Sequence, residues 1–375
     1  MKILILTQPL SNNYGGILQN YALQVLLTRR GHCVETLKIE RRLNLFKFYL
    51  FRVLSLGKHF LLLMLGKNQT KTIRQWMTEK EAAVCYKKIN GFIQRNINTT
   101  PVVNSRRELG KCLDYDAYVV GSDQVWRKEY SPHLPTFFLD FLPENHKCRR
   151  IAYAASFGNS RIDYLKKYIN KYSKLLQRFD AISVRELSGI NLCRDYFSVA
   201  AEVVPDPTMM LSADDYRSLI GQYKDCAKNK LVTYILDETP VIRAAVEKFA
   251  AEHKLEVIRF RGTYSRKDLK SSDPEKAGIE FWLGAIESAE YVITDSFHGT
   301  VFSLLFHKKF YSFVNYARGK DRFELLDWLF DIKSRFVNTG ADNIPIADDL
   351  DYAVIDKKLA TYRKTGEEFL LKAEL

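Results

Sequence analysis

The sequence predicts an α/β protein built from two doubly wound domains facing a central cleft. Three observations carry this. Short apolar runs rich in β-branched residues alternate with helix-period segments along nearly the whole chain, as in parallel sheets covered by helices. The alternation restarts after Pro205-Asp206-Pro207, where two prolines in three residues forbid a helix. The 375 residues also exceed what one hydrophobic core usually serves, at roughly 100–200 residues per domain. The expected division is 1–205 and 206–375, with a basic apolar insertion at about 41–78 and a closing C-terminal helix.

In chain order, residues 2–7 read as the first strand of a mature domain, without the long apolar core of a signal peptide. Residues 17–30 place Ile17, Leu18, Tyr21, Ala22, Val25 and Leu26 on one side of a helix that Gly31 stops. Strands follow at 33–39, 117–120, 151–155, 181–184 and 202–204. Beyond the prolines, strands are predicted at 231–236, 255–260, 291–294 and 310–313, the last of the series. Helices are predicted at 241–252, 279–288, from Thr300, at 322–330 and at 352–371.

The charge balance is basic, +13, so an anionic partner is expected. Much of the excess is local. Between Glu40 and Glu79 no acidic residue occurs, against Arg41, Arg42, Lys47, Arg52, Lys58, Lys67, Lys71 and Arg74. The apolar stretch 43–66 interleaved with them is too interrupted by Lys47, Arg52 and Lys58 to span a bilayer. Two readings stay open: a cationic helical pair in the interface of an anionic membrane, or a buried or partner-packing surface with cations at its rim. Nucleic-acid patches normally lack such aliphatic bulk, so no nucleic-acid partner is expected. The six scattered cysteines contain no CxxC, which argues against a zinc ribbon or a disulfide framework and fits a reducing cytoplasm.

In open parallel sheets, ligands bind beyond the carboxyl ends of the strands, and the polar clusters of this chain fall there. The first strand leads into Asn13-Tyr14-Gly15-Gly16, where glycines at a helix start can bring backbone N–H groups to an anion or simply pack a tight turn. Strand 117–120 leads into Gly121-Ser122-Asp123-Gln124-Val125-Trp126, whose polar side chains suit a polyhydroxylated ligand or a capped helix start. Arg185, directly after a buried strand, either pairs with Glu186 or holds an anion. Asp295-Ser296-Phe297-His298-Gly299-Thr300 is the most catalytic-looking stretch: His298 can shuttle protons and Asp295 could orient it, or Asp295 or Ser296 caps the helix. No histidine or cysteine spacing suggests a metal, so none is expected.

Asn-Asn-Tyr-Gly-Gly at 12–16, Gly-Ser-Asp-Gln-Val-Trp at 121–126, Tyr-Ala-Ala-Ser-Phe-Gly at 153–158 and Ser-Val-Arg-Glu at 183–186 occur in one order with Pro-Asp-Pro-Thr at 205–208 and Asp-Ser-Phe-His-Gly-Thr at 295–300. In this order they resemble the polysaccharide pyruvyl transferase family, from the first residues to about residue 330. The resemblance implies two Rossmann-like domains similar to GT-B glycosyltransferases. It implies transfer of pyruvate from phosphoenolpyruvate, a co-substrate with no further cofactor, as a ketal on a sugar or lipid-linked oligosaccharide of a surface polysaccharide. His298 is then the general acid with Asp295 beside it. Arg185, Arg322, Ser296, Gly15 and Gly16 fall to the donor, and Asp123, Gln124, Ser122 and Asn13 to acceptor hydroxyls.

One departure stands out. Family members often carry Arg-Leu-His where this chain has Ser296-Phe297-His298. The lost charge-assisted contact typically contributes ~1.5–3 kcal/mol. Either Arg318 or Arg322 supplies the cation, or the donor differs. The alternatives weighed are a nucleotide-sugar glycosyltransferase of the same architecture and a non-catalytic polysaccharide-assembly protein. The expected location is cytoplasmic, at the inner face of the membrane if the interfacial reading of 43–66 holds. Deleting 43–66 should then release the protein from anionic vesicles in a flotation assay; unchanged binding refutes that reading.

Overall fold

The computed structural model describes residues 1–39, 79–131, 133–162, 164–262, 275–314 and 321–375. The insertion, with segment 43–66, and Arg318 lie outside the described residues. The strands form two sheets that share no strand, and every pairing is parallel. The first contains β1 (Lys2–Leu6), β2 (Cys33–Thr36), β3 (Ala117–Asp123), β4 (Arg149–Ala155), β5 (Ala181–Val184) and β6 (Glu202–Val203), in the order β2-β1-β3-β4-β5-β6. The second contains β7 (Lys230–Ile235), β8 (Glu256–Arg261), β9 (Tyr291–Thr294), β10 (Lys309–Val314) and β11 (Phe336–Asn338), in the order β11-β10-β9-β7-β8. Counted within each unit, both follow the doubly wound order 2-1-3-4-5, so the fold is two Rossmann-like units. Each has its topological switch between its first and third strands.

Burial on both faces explains why the strands are apolar throughout. Ile3 and Ile5 pack with Leu23 and Leu27 of the helix Tyr14–Arg29 on one face of the first sheet. Leu4 and Leu6 meet Tyr118, Val120 and Trp126 on the other. The same helix turns Tyr14, Ile17, Leu18 and Ala22 outward into a cluster with Tyr234, Trp282, Val292 and Phe302 of the second unit. Tyr14 stacks on Trp282 with ring centroids 5.3 Å apart and its hydroxyl donates to the Ala277 carbonyl at 2.8 Å. One apolar cluster therefore joins the units.

Several elements differ from expectation. The first helix starts at Tyr14 rather than 17, because the outward-facing tyrosine falls off the face that covers its own sheet. The helix after β9 is Phe297–Leu305, not one beginning at Thr300. The chain adds β11 after 310–313; three residues are too few to show a period. The helices Glu79–Cys85, Lys87–Asn96, Arg106–Leu109, Lys166–Leu176, Leu187–Phe197 and Ala213–Ile220 were not anticipated. Nor was the short helix Pro207–Met210, which the prolines were expected to forbid; Pro207 is its first residue, where the missing N–H costs nothing.

The C-terminal helix Tyr352–Lys372 serves both units. Its start places Ile355, Leu359 and Tyr362 in the joining cluster. Its end buries Phe369 and Leu370 beside Ile151 and Tyr153 of the first sheet. Twenty-one residues span about 30 Å, enough to cross from one unit to the other. The last residues thus pack on the first unit. Midway, Arg363 donates through Nε to the Met209 carbonyl and through Nη2 to the Leu211 carbonyl, both at 2.6 Å, which pins the connecting segment. Phe369→Ala should cost ~3–5 kcal/mol through the cavity it leaves, read as a lower urea midpoint with the denaturant slope kept.

Candidate functional site

The two switch points meet. The helix after β1 supplies Gly15 and the end of β3 supplies Ser122 and Asp123; the turn after β9 supplies Asp295 and Ser296, and the helix it starts supplies His298. Because the first helix packs into the second unit, its Gly15 lies against the His298 imidazole. A Cβ at Gly15 would sit 2.0 Å from Nδ1, so only glycine permits the approach. The space before Gly15, expected to cradle an anion, is thus filled by the ring in this conformation. At Gly16 a Cβ would meet only ordinary contacts near 3.5 Å with Asn13. Asn13 itself is exposed at the N-cap position, with no capping bond from its side chain.

Ser296 is the helix N-cap, accepting from the Gly299 N–H at 3.4 Å, and so places His298 in the first turn. Asp295 directly follows β9. Its carboxylate accepts the Leu236 and Asp237 N–H groups at 2.6 and 3.0 Å, tying the end of β7 to the end of β9. The carboxylate facing His298 is Asp206, whose Oδ2 lies 3.6 Å from Nε2, just beyond a direct hydrogen bond.

Asp206 was not singled out as a site residue by the sequence, where it belongs to the break at Pro205–Pro207 and to the Pro-Asp-Pro-Thr motif. Its Oδ1 caps the short helix Pro207–Met210, accepting from the Thr208 N–H at 3.0 Å and hydroxyl at 2.7 Å. Its Oδ2 accepts from Arg185 Nη1 at 3.0 Å and Ser122 Oγ at 3.2 Å. Ser122 is therefore buried and committed to Asp206 rather than open to an acceptor. Burial alone would raise the Asp206 pKa, but the facing His298, Arg185 and Thr208 outweigh it and hold the carboxyl far below the usual range.

Arg185 is 0% exposed. Its guanidinium also meets Asp123 Oδ1 at 3.3 Å and Glu186 Oε1 at 3.5 Å. Burial opposes its charge, yet Glu186, Asp123 and Asp206 together raise its pKa. Three carboxylates around one arginine make it a hub rather than the open anion clamp expected of it. Arg322, in the helix Asp321–Phe330, is also buried. The two guanidiniums flank one ring, Arg185 at 5.1 Å and Arg322 at 5.8 Å from the Phe297 centroid. Burial and the like charge of Arg185 pull the Arg322 pKa down to about 10, so a bound anion would be favoured there. Gln124 accepts from Arg127 through Oε1 at 2.8 Å.

A further buried cation, Lys276, was not foreseen. Lys276 Nζ donates to the Asn12 carbonyl at 2.6 Å and the Gly262 carbonyl at 3.0 Å, and lies 4.5 Å from the Tyr14 ring. It ties the Gly15 loop to the second unit, and burial pushes its pKa down to about 7. Among the described residues no group of three or more His, Cys, Asp or Glu could hold a metal, and no helix is long and apolar enough to cross a membrane.

The family described as "Polysaccharide pyruvyl transferase" matches residues 13–317. The chain belongs to that family. The matched span contains Gly15, Asp123, Arg185, Asp206, Lys276 and His298, whereas Arg322 follows it. No curated protein matches the chain. Among solved structures, it is similar to UDP-GlcNAc 2-epimerase from Neisseria meningitidis bound to UDP-GlcNAc, with 11% identity, TM-score 0.46 and coverage of 100% of this chain and 94% of that one. It is also similar to a UDP-GlcNAc 2-epimerase from Methanocaldococcus jannaschii, with 12% identity, TM-score 0.47 and coverage of 96% and 92%.

Asp206→Asn tests the hub. Because the folded pKa is depressed, the contribution of Asp206 is complete above the ordinary aspartate value of about 3.9 and is lost as the pH falls below it. At neutral pH the variant should lose ~3 kcal/mol, as when a buried ion pair is broken. Below pH ~4 the gap between variant and wild type should narrow in urea titrations run across pH. A constant gap would show that Asp206 acts without its charge.

Proposed function

We propose that this chain transfers pyruvate from phosphoenolpyruvate to two hydroxyls of one sugar, forming a ketal on a surface polysaccharide or its lipid-linked precursor. Family membership supports a polysaccharide pyruvyltransferase. The observation that supports the finer reading is that two buried cations, Arg185 and Arg322, flank the ring of Phe297, the residue before His298.

The chemistry needs an acid and an anion site. His298 protonates the methylene carbon of phosphoenolpyruvate, which leaves C2 electrophilic. A sugar hydroxyl adds to C2 and loses its proton. The second hydroxyl then displaces phosphate and closes the ring, so one ketal and one phosphate are formed. Asp206, 3.6 Å from Nε2, stabilises the charged imidazole before it gives up the proton. Arg322 replaces the arginine that Ser296 leaves out, because Ser296 is occupied as a cap. Arg185 acts from behind, fixing Asp206 and Asp123. His298 is only 4% exposed, so the Gly15 loop has to draw back for the donor to reach it.

The test is incubation with phosphoenolpyruvate and lipid-linked glycans, following phosphate release and the mass gain of the ketal. His298→Ala should abolish turnover while phosphoenolpyruvate still binds. Arg322→Ala should weaken donor binding about tenfold or more, the loss of one charge-assisted contact. Consumption of a UDP-sugar without phosphate release from phosphoenolpyruvate would overturn the proposal.

A further inference from the structure

The three carboxylates that meet Arg185 are not equally committed. Asp206 gives Oδ1 to Thr208 and Oδ2 to Arg185 and Ser122, and its side chain is 0% exposed. Glu186 accepts from the Ser156 hydroxyl at 2.5 Å and keeps 5% of its side chain exposed. Asp123 accepts only from Arg185 Nη2, through Oδ1 at 3.3 Å, and keeps 10%. Its Oδ2 makes no hydrogen bond among the described residues.

Position separates them further. Asp123 ends β3, at the switch point between β1 and β3 where ligands enter such sheets, whereas Glu186 follows β5, two strands away. The backbone at Asp123 has φ +69°, a left-handed conformation uncommon outside glycine. Its carbonyl holds it there, accepting from the Val125 and Ser156 N–H groups at 2.7 and 3.1 Å. Residues fixed in such conformations cluster at active sites.

One guanidinium therefore orients two acids. Nη1 holds Asp206, which faces His298, and Nη2 holds Asp123. A single positive charge shared by three carboxylates leaves Asp123 only partly neutralised. Asp123 also supports the charge of Arg322 against burial, so it lies beside the cation assigned to the donor.

We propose that Asp123 is the general base that takes the proton of the attacking sugar hydroxyl. The inference rests on the transfer to a sugar proposed above. His298 first gives its proton to the methylene carbon. As the hydroxyl oxygen bonds to C2, its O–H bond breaks and the proton passes to Asp123 Oδ2. The second hydroxyl displaces phosphate and gives its proton to the neutral His298, while Asp123 passes its own to the departing phosphate. One C–H and two C–O bonds form, the C2–O bond to phosphate and two O–H bonds break, and both side chains return to their starting states.

The test uses the full chain with phosphoenolpyruvate and lipid-linked glycans, following phosphate release, phosphoenolpyruvate binding and melting temperature. Asp123→Asn keeps an oxygen for Arg185 but cannot take a proton. Its kcat should fall about 10²–10⁴-fold, with the glycan KM and phosphoenolpyruvate affinity little changed. Asp123→Gly, which suits the positive φ, should be as slow and regain rate when formate is added. A side chain that only positions the glycan would raise KM and gain nothing from formate. A kcat near that of wild type in Asp123→Asn, or a loss confined to KM, overturns the inference. Should the asparagine variant prove unstable, the glycine variant decides: rescue by formate upholds the base, and no rescue overturns it. Turnover of a UDP-sugar in place of phosphoenolpyruvate overturns the pyruvyltransferase reading, while formate-rescued loss of that turnover keeps the base, since a hydroxyl attacks in either reaction. Undiminished phosphate release from phosphoenolpyruvate in Asp123→Asn does the reverse.

Discussion

One buried carboxylate ties the structure together. Asp206 is 0% exposed and is shared by a helix cap, a serine, an arginine and a histidine from the opposite unit. Such a charge is costly to bury unless several partners satisfy it. Each partner comes from a different element: Ser122 from the end of β3, Arg185 from just after β5, Thr208 from the connecting helix and His298 from the helix after β9. The position of the second unit is thereby coupled to the charge state of the first. Arg363 grips the connecting segment from the C-terminal helix and adds a second tie at the same place.

The repeated 2-1-3-4-5 strand order accounts for where this happens. In each unit the strand order reverses between the first and third strands, which run parallel, leaving a crevice at their carboxyl ends. Apolar packing of Tyr14 and Ile17 against Trp282 sets the two crevices against each other. Gly15 and His298 then touch as a consequence of helix packing, not of any attraction between them. Charge is graded along the same line. Arg185 is compensated by three carboxylates, whereas Arg322 is pulled down by burial and by its like-charged neighbour.

Much of the fold was legible because buried parallel strands must be apolar on both faces, as in Ile3–Leu6, and because Pro205 and Pro207 interrupt the pattern. The unanticipated helices were harder to see. Lys166–Leu176 buries only Tyr172 and Leu176, and Lys87–Asn96 only Ile89, Phe92 and Ile93, so their apolar signal is thin. In the site, His298 and Arg185 stood out because an ionisable residue after a buried strand is conspicuous. Asp206 did not, since an aspartate between prolines reads equally well as a turn. Lys276 lay in a polar stretch, where a lysine is ordinarily solvated.

By itself, then, the sequence determined the α/β class, the family motifs and the short segments from which the site is drawn. These are local properties: hydrophobic period, backbone restriction and residue chemistry at strand ends. Tertiary structure alone decided which acid faces His298, which arginine is compensated and which unit holds the last helix. Those outcomes depend on contacts between residues far apart in the chain, such as Asp123 with Arg185 and Gly15 with His298. No local pattern encodes such a distance; it arises when two packed sheets bring their switch points together.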